Sequence, residues 1–511
     1  MTVSIRTATS AAAITIFITN SAAYADVSAA DVWQDWSGYM AGFGYQVSGD
    51  ESQSGDTLTI ENVSLTMEVP DGDEGTGSVV TDVGQLQFRE NGDGTVSVLL
   101  PEVMPINVSF TGLEDMESSL AMEYRTTGLD FVVSGDPKAM TYTYSAEQMT
   151  MALVDIVAEP NDVEFGAAEM TIEALQGQAD VTNDGTLRST DGSMTSGPAA
   201  YTLDMTDADS GERIQVSGTL NDLAYSGSAK TPVTENAMDM AALLEAGFDM
   251  VGQFQHGGGS STFSVTEGDE TMTGNSQSES GELEVAMSQN QLRYGGTAKG
   301  LDMSFSGGEI PFPIEIAMET SAFGLTMPVS GSEEPQDFAL SVTMGDFTMS
   351  DMIWAMFDPS ETLPRDPATV VLDLAGKAKM FVDMMDPEAM AEVETGDTTF
   401  GELDALTIKD ITLRMAGAEL TGKGDFTFDN SDLESFGGAP APEGEADLKL
   451  VGGNALLDNL VSMGLLPEDQ AMGARMMMGL FAVPGEGEDT LTSTIVVNED
   501  GHVLANGQRL K

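Results

Sequence analysis

Apolar and polar residues alternate with period two along most of this chain, as in "GTVSVLLPEV", "GLDFVVSG", "RIQVSGTL", "GELEVAMS", "GLDMSFSG" and "PIEIAMET". Such alternation gives a strand one apolar and one polar face. Asn91-Gly92-Asp93-Gly94, Asn183-Asp184-Gly185 and Asp500-Gly501 lie between runs and are hairpin-type turn signals. A long series of antiparallel strands joined mostly by short turns is therefore expected. One run recurs with a defect: "LTIENVSLTM", Leu58 to Met67, returns as "LTIKDITLRM", Leu406 to Met415, with a weaker copy in "MTIEAL", Met170 to Leu175. In the first copy Leu58 and Ile60 share a face, but the next apolar set is Val63, Leu65 and Met67, so the phase slips at Glu61-Asn62. In the second copy it slips at Lys409-Asp410. One extra residue in a strand is a β-bulge, which bends the strand and raises its twist, so repeated bulges predict a curved sheet.

Helical spacing is rarer. "SAADVWQDWSGYM" has Ser28 as N-cap and sets Val32, Trp36, Tyr39 and Met40 on one side. "NAMDMAALLEAGFDMVGQF" aligns Met240, Leu243, Leu244, Gly247, Phe248 and Val251, which predicts a helix through residues 236–254. "SDMIWAMFDP" is capped by Ser350 and stopped by Pro359, and "NALLDNLVSMGLLPEDQAMGARMMMGLFAVP" predicts an αα-hairpin with Asn454 as first cap and Pro467 opening the second helix. Trp33, Trp36 and Trp354 all fall in helical segments, where large aromatics anchor a helix to a sheet. The fold expected is mainly β: a long curved or bulged antiparallel sheet, or sheets, with a few amphipathic helices packed on the apolar face. Two soft divisions, near Thr234 and Ser350, suggest modules over 26–234, 235–350 and 351–511, the last carrying the αα-hairpin.

The first residues, "MTVSIRTATSAAAITIFITNSAAYAD", combine Arg6, a short apolar stretch and Ala23-Tyr24-Ala25, the pattern of a signal peptide cleaved after Ala25. Residues 1–25 are set aside from the fold on that reading. Later apolar stretches are interrupted by charges, and none approaches the roughly 20 apolar residues that span a bilayer. An exported chain with Cys 0 must draw its stability from buried apolar area rather than disulfides. Its 84 Asp+Glu against 19 Lys+Arg give a formal charge of −65, which opposes binding to nucleic acid or anionic lipid surfaces.

Few groups suit catalysis. The only histidines are His256, beside a glycine run, and His502, in a hairpin turn, and no zinc, nucleophile-elbow or phosphate-loop motif occurs. No catalytic, cofactor or metal residue is assigned, and an enzyme is not expected. The Asp/Asn/Gly turns could offer oxygen ligands to calcium, yet none completes a calcium loop, and hairpin turns account for them. Methionine is unusually frequent, Met 34 beside Phe 21. It occupies positions such as Met67, Met287, Met303 and Met415, where it serves either as core or as the adaptable lining of a groove; Cu(I) binding by thioethers is a third reading.

The C-terminal third has a familiar pattern. "LTIKDITLRMAGAELTGKGDFTFDN", a Gly/Pro-rich loop, "GEADLKLVGGNALLDNLVSMGLLP" and a last strand ending "DGHVLANGQRL" resemble the C-terminal module of AsmA-like envelope proteins. The layout from leader to Asn506-Gly507 also resembles an exported Gram-negative family described only as a domain of unknown function. These resemblances imply a periplasmic location, a curved β-sheet with a hydrophobic groove, and a part in outer-membrane lipid homeostasis. The AsmA-like proteins carry an N-terminal membrane anchor, which a chain cleaved after Ala25 is expected to lack.

Within that module, Gly422-Lys423-Gly424 sorts by period two. Ala418, Leu420, Gly422, Gly424, Phe426 and Phe428 share the apolar face, and Lys423 lies on the polar one, where an ion pair with a neighbour is expected. Leu413, Met415, Leu420, Gly422, Gly424, Phe426 and Phe428 are the candidate groove-lining residues. The two glycines leave a dent, to be filled by the helix from Asn454 or by an acyl chain. The function expected is a non-enzymatic binder or carrier of a lipid or other apolar ligand; the alternative is a structural or assembly factor of the envelope with no small ligand.

Overall fold

Alternation with periodic slips produces one antiparallel sheet creased along its middle. The structure is a computed structural model that describes residues 26–71, 75–113, 116–158, 163–208, 210–234, 239–308, 310–396 and 398–511; the expected signal peptide lies outside these. After helix α1 (Ala29–Gly42) come β1 (Gln46–Ser54), β2 (Thr57–Asp71), β3 (Gly75–Glu90), β4 (Val96–Leu99), β5 (Val103–Leu113), β6 (Met116–Thr127), β7 (Asp130–Asp136), β8 (Ala139–Ala158) and β9 (Val163–Asn183). The middle holds β10 (Leu187–Thr195), β11 (Ala199–Asp207), β12 (Arg213–Leu220), β13 (Ala224–Pro232), α2 (Met240–Glu245), β14 (Asp249–His256), β15 (Gly259–Glu267), β16 (Glu270–Ser278) and β17 (Ser280–Ser288). Then follow β18 (Leu292–Gly307), β19 (Ile310–Met327), β20 (Gln336–Met349), α3 (Asp351–Phe357), β21 (Ala368–Met380), α4 (Pro387–Thr395), β22 (Gly401–Met415), β23 (Ala418–Asp429) and β24 (Ala441–Val451). The chain ends with α5 (Gly453–Ser462), α6 (Glu468–Phe481), β25 (Val483–Pro484), β26 (Thr490–Val497), β27 (Val503–Ala505) and β28 (Gln508–Arg509).

The strands form an up-and-down meander. Many short strands are halves of one long strand broken at its midpoint: β10 and β11 lie end to end along β9, β13 and β12 lie along those two, and the pairs β14/β15 and β17/β16 continue to β18. The break is marked by left-handed backbone at Asn62, Gly84, Gly128, Ala174, Asp222, Gly258, Gly300 and Asp346. Backbone bonds carry the ladder across it, as from Gly197 N to Glu173 O (2.9 Å) and from Asn221 N to Gly258 O (2.9 Å). These breaks line up as a crease running from β2 to β20, with one arm of the sheet on each side.

The crease explains the phase slip. Because side chains alternate strictly, a straight strand would turn the apolar set of its second half to the opposite face. The register of β2 on β3 shifts between Ile60 and Val63, and that of β22 on β23 between Ile408 and Ile411, as the repeat predicts. The weaker copy behaves alike, since Ile172 and Leu175 are both buried in one cluster on either side of Ala174. The apolar face is the concave one: Ala146, Ile172, Leu175, Ala199 and Leu223, beside the crease, are buried, whereas Met170 and Tyr225, farther along the arms on the same face, are exposed.

At its first strands the concave side is filled by α1. A Ser28–Asp31 capping box starts the helix, and Val27, Ala29 and Val32 enter a core with Ile60, Phe88, Val96 and Val133. Trp36 meets Phe88 edge-on, with ring centroids 5.5 Å apart, and tilts against Phe131 at 5.9 Å. Asp35 fixes the helix to the first arm, accepting from the Tyr142 hydroxyl (2.6 Å) and the Arg188 guanidinium (3.0 Å), which also lies 4.2 Å over the Tyr39 ring. Burial, then the Asp35 carboxylate, push the Tyr142 hydroxyl far above the ordinary tyrosine range, which keeps it protonated as the donor.

Some helical expectations need correction. The helix expected over 236–254 ends at Glu245, because Gly247 takes φ +101° and residues 249–256 pair as β14 between β13 and β17. Helix α4 carried no pattern singled out in the sequence. Helix α5 has Gly452, not Asn454, at its N-cap, and its first amides are held from outside by Asp489, which accepts from Asn454 N (3.3 Å) and Ala455 N (2.9 Å). Ser350 occupies the N-cap of α3 but makes no capping bond. The sheet runs through both soft divisions of the chain, since β13 pairs with β14 and β20 with β21.

Candidate functional site: an open apolar trough

Cross-strand register shows what lines the concave face. One row begins at Val96, Val133, Tyr142 and Ala179, close to α1, and passes through Gly192, Gly227 and Gly252. It continues as Val285, Tyr294, Leu325, Leu340 and Leu374, then Ile408, Gly424, Ala446 and Ile495. In a chain of formal charge −65 this row has no charged side chain. The second arm has a counterpart in Met104, Tyr124, Met151, Met170 and Tyr201, resuming at Met303, Ile316 and Met349. The convex face is the reverse: Gln178, Ser193, Ser226, Gln253 and Glu284 form one row, and Ser341, Asp373 and Asp410 lie farther along it.

Glycines on the concave face let aromatic rings lie flat. A Cβ at Gly177 would fall 2.3 Å from the Tyr144 ring, one at Gly274 2.3 Å from Phe263, and one at Gly376 2.5 Å from Phe338. Each glycine is thus covered by a ring on the adjacent strand, an arrangement that fixes register and smooths the surface.

Farther from α1, between β9 and β20, Tyr225, Tyr294, Phe323, Leu340 and Met344 stand exposed on this surface, although α2 buries Leu243 and Leu244 between β13 and β14 and α3 touches β19. Monomeric soluble proteins rarely leave so continuous an apolar surface uncovered unless it binds something. Methionines recur along it, including Met149, Met151, Met170, Met194, Met303 and Met327; their unbranched, polarisable side chains adapt to irregular partners.

All seven candidate lining residues lie on the trough side. Leu413 and Met415 are exposed, Leu420, Gly422, Phe426 and Phe428 half-buried, and Gly424 buried. The dent, however, is filled by neither candidate. A Cβ on Gly422 would come within 2.5 Å of Leu448 and one on Gly424 within 2.8 Å of Ala446, so β24 itself covers both glycines. Lys423 faces the convex side opposite the bulge: Ile408 pairs with Gly424 and Ile411 with Gly422, leaving Lys409 and Asp410 together across from it. Its register partner is Asp447, but among the described residues Lys423 makes no ion pair within 4.0 Å; Lys409 takes that role with Asp373 at 3.5 Å.

Among the described residues no three His, Asp or Glu side chains come together as a metal-ligand set. Among them, too, no helix is long and apolar enough to cross a membrane. Sequence reasoning did not single out Tyr225, Tyr294 or Phe323. Their alternation was visible, but their neighbours across the sheet were not.

A family model described as an uncharacterized protein conserved in bacteria (DUF2125) matches residues 254–510, from β14 to the C-terminus, and the chain belongs to that family. No curated protein matches the chain in sequence.

Proposed function

For this member of the family, we propose that the creased sheet binds and carries a lipid or another long apolar molecule along its concave face, without chemical change to it, in the periplasm. The observation that carries the reading is the uncharged row from Val133 to Ile495, which leaves the cover of α1 and continues exposed at Tyr294 and Leu340. Burying such surface against hydrocarbon yields roughly 25 cal/mol per Å², so a ligand with a long apolar chain has most to gain. The leader pattern before Asp26 supports export, and the resemblance of the last strands to AsmA-like modules supports a place in outer-membrane homeostasis. Native mass spectrometry of the exported chain, purified without detergent, tests this. Added masses that match phospholipid or fatty acid are expected; a bare chain whose spectrum and melting are unchanged by organic delipidation contradicts it.

A second reading is favoured by α6, where Met472, Met476 and Met477 are all more than half exposed. An apolar helix face of this kind suits an assembly factor that docks on another protein. It predicts the bare chain in the same spectrum.

A further inference from the structure

The floor of the trough, along the crease, is apolar on both sides of one short interval. From the closed end it runs through Leu129, Ala146, Leu175 and Leu223 on the first arm and Met149, Ile172, Ala199 and Leu220 on the second. Ser196 interrupts it only nominally, since its hydroxyl donates to the Gly197 carbonyl at 3.0 Å. Beyond the interval the floor is apolar again at Leu301 and Met318, and at Met303 and Ile316. Between them, where β14 passes into β15 and β16 into β17, four polar side chains reach the concave side: His256, Ser261, Ser276 and Ser278.

Their placement follows from register. His256 lies two residues beyond Phe254, on the same face, and its ring covers Gly281, whose Cβ would fall 2.1 Å from Nε2. Ser261 and Ser276 continue the row of Met170 and Tyr201 through Gly218, and their hydroxyls are 2.8 Å apart. Ser278 pairs with Gly259, over which the Leu220 side chain lies with the Ser278 hydroxyl beside it. His256 Nδ1 accepts from Gly258 N at 3.3 Å, which in the neutral ring places the proton on Nε2. Nε2 is then a donor with no hydrogen-bond partner among the described residues. One imidazole N–H and three hydroxyls, two of them bonded to each other so that one donates within the pair, form a polar notch with no carboxylate in their rows in an apolar floor.

We propose that this notch seats the carboxyl group of a single-chain amphiphile of the fatty-acid type. The proposal rests on the carrier reading above and deepens it. The tail direction follows from the floor. From His256 to Phe131, where Trp36 of α1 blocks the trough, there are five strand steps, roughly 24 Å at the usual strand separation, which suits one extended long acyl chain. The head is held by hydrogen bonds because the net charge of the chain repels an anion at long range, so the donors at contact must supply selectivity.

The test compares palmitate with methyl palmitate, which has the same tail without the acid, in calorimetric titrations of the full chain. The unsubstituted chain should bind palmitate about tenfold tighter, the worth of one good hydrogen bond to a charged group. His256→Leu should remove most of that difference, while His256→Gln, which keeps a donor, should restore part of it. If His256→Leu does not fold, the Ser261→Ala/Ser276→Ala pair supplies the same comparison. Equal binding of acid and ester to the unsubstituted chain overturns the notch but leaves the carrier reading standing. Failure of both ligands to bind overturns the carrier reading, and the notch with it.

Discussion

One row of the sheet passes through two environments. At Val96 and Val133, near α1, the side chains are 0% exposed; at Tyr294 and Leu340, on the same row, they are 41% and 39% exposed. The alternation that produces the row is the same in both places. What differs is the presence of α1: where it lies in the trough the apolar face becomes an ordinary core, and at Tyr294 and Leu340 the same face stays exposed. The closed end also shows what a good occupant of this surface looks like. It is long, apolar on the side facing the sheet, and tied down by a few polar bonds, above all Asp35 between Tyr142 and Arg188.

If the comparison is right, equivalent truncations should have unequal costs. Phe88→Ala, beneath Trp33 and Trp36, should lower stability by about 3–5 kcal/mol in urea unfolding, whereas Phe323→Ala in the open trough should cost less than about 1 kcal/mol. Similar losses at both sites would mean that the open trough is covered in solution. Asp35→Ala comes next. It leaves Arg188, 12% exposed, without its carboxylate and should cost about 3 kcal/mol; because α1 is held there, Trp33 and Trp36 fluorescence should redden as the helix loosens. Unchanged emission would show that the aromatic contacts alone hold the plug.

The crease joins both regions, and its effect should be smaller and of unusual sign. Ala174 holds φ +49° in the middle of β9, where glycine is less strained. Ala174→Gly should therefore raise stability by about 0.5–1 kcal/mol, although the same change in a regular strand lowers it. A loss would argue against backbone strain at the crease. The smallest effect belongs to the rim turn between β9 and β10. The Thr186 hydroxyl, then the Thr186 and Leu187 amides, lower Asp184 from 3.8 to about 2. Its folded value is below its unfolded one, so its contribution is complete above pH 3.8 and is lost as pH falls to about 2. Urea midpoints should drop through that window in the native chain and more shallowly in Asp184→Asn.

Much of the fold can be read from residues alone because a strand states its own faces. The slip at Glu61-Asn62 and its repeat at Lys409-Asp410 mark where the sheet bends, and the structure places a register shift at each. The dent at Gly422 was misjudged for a reason of the opposite kind: alternation tells which way a residue points but not which strand lies beside it, and Leu448 arrives from β24. The helix through residue 254 failed likewise. Val251 fits the helical spacing of Leu243, Leu244, Gly247 and Phe248, yet the turn at Gly247 and two partner strands make β14 the better use of it and the residues that follow. His256 stood in the sequence as a histidine without a partner; only the crease brings it to the same floor as Ser278.

The central claim is that the trough between β9 and β20 is an open site for an acyl chain, while the part near α1 is not. A palmitate analogue with a diazirine in its tail, photolysed on the full chain and mapped by peptide mass spectrometry, tests it most directly. Adducts should fall on concave residues such as Met170, Met194 and Tyr225, and stop short of Val96 and Val133. Adducts confined to convex residues or to α6, or a yield no higher than that of denatured chain, would contradict the account.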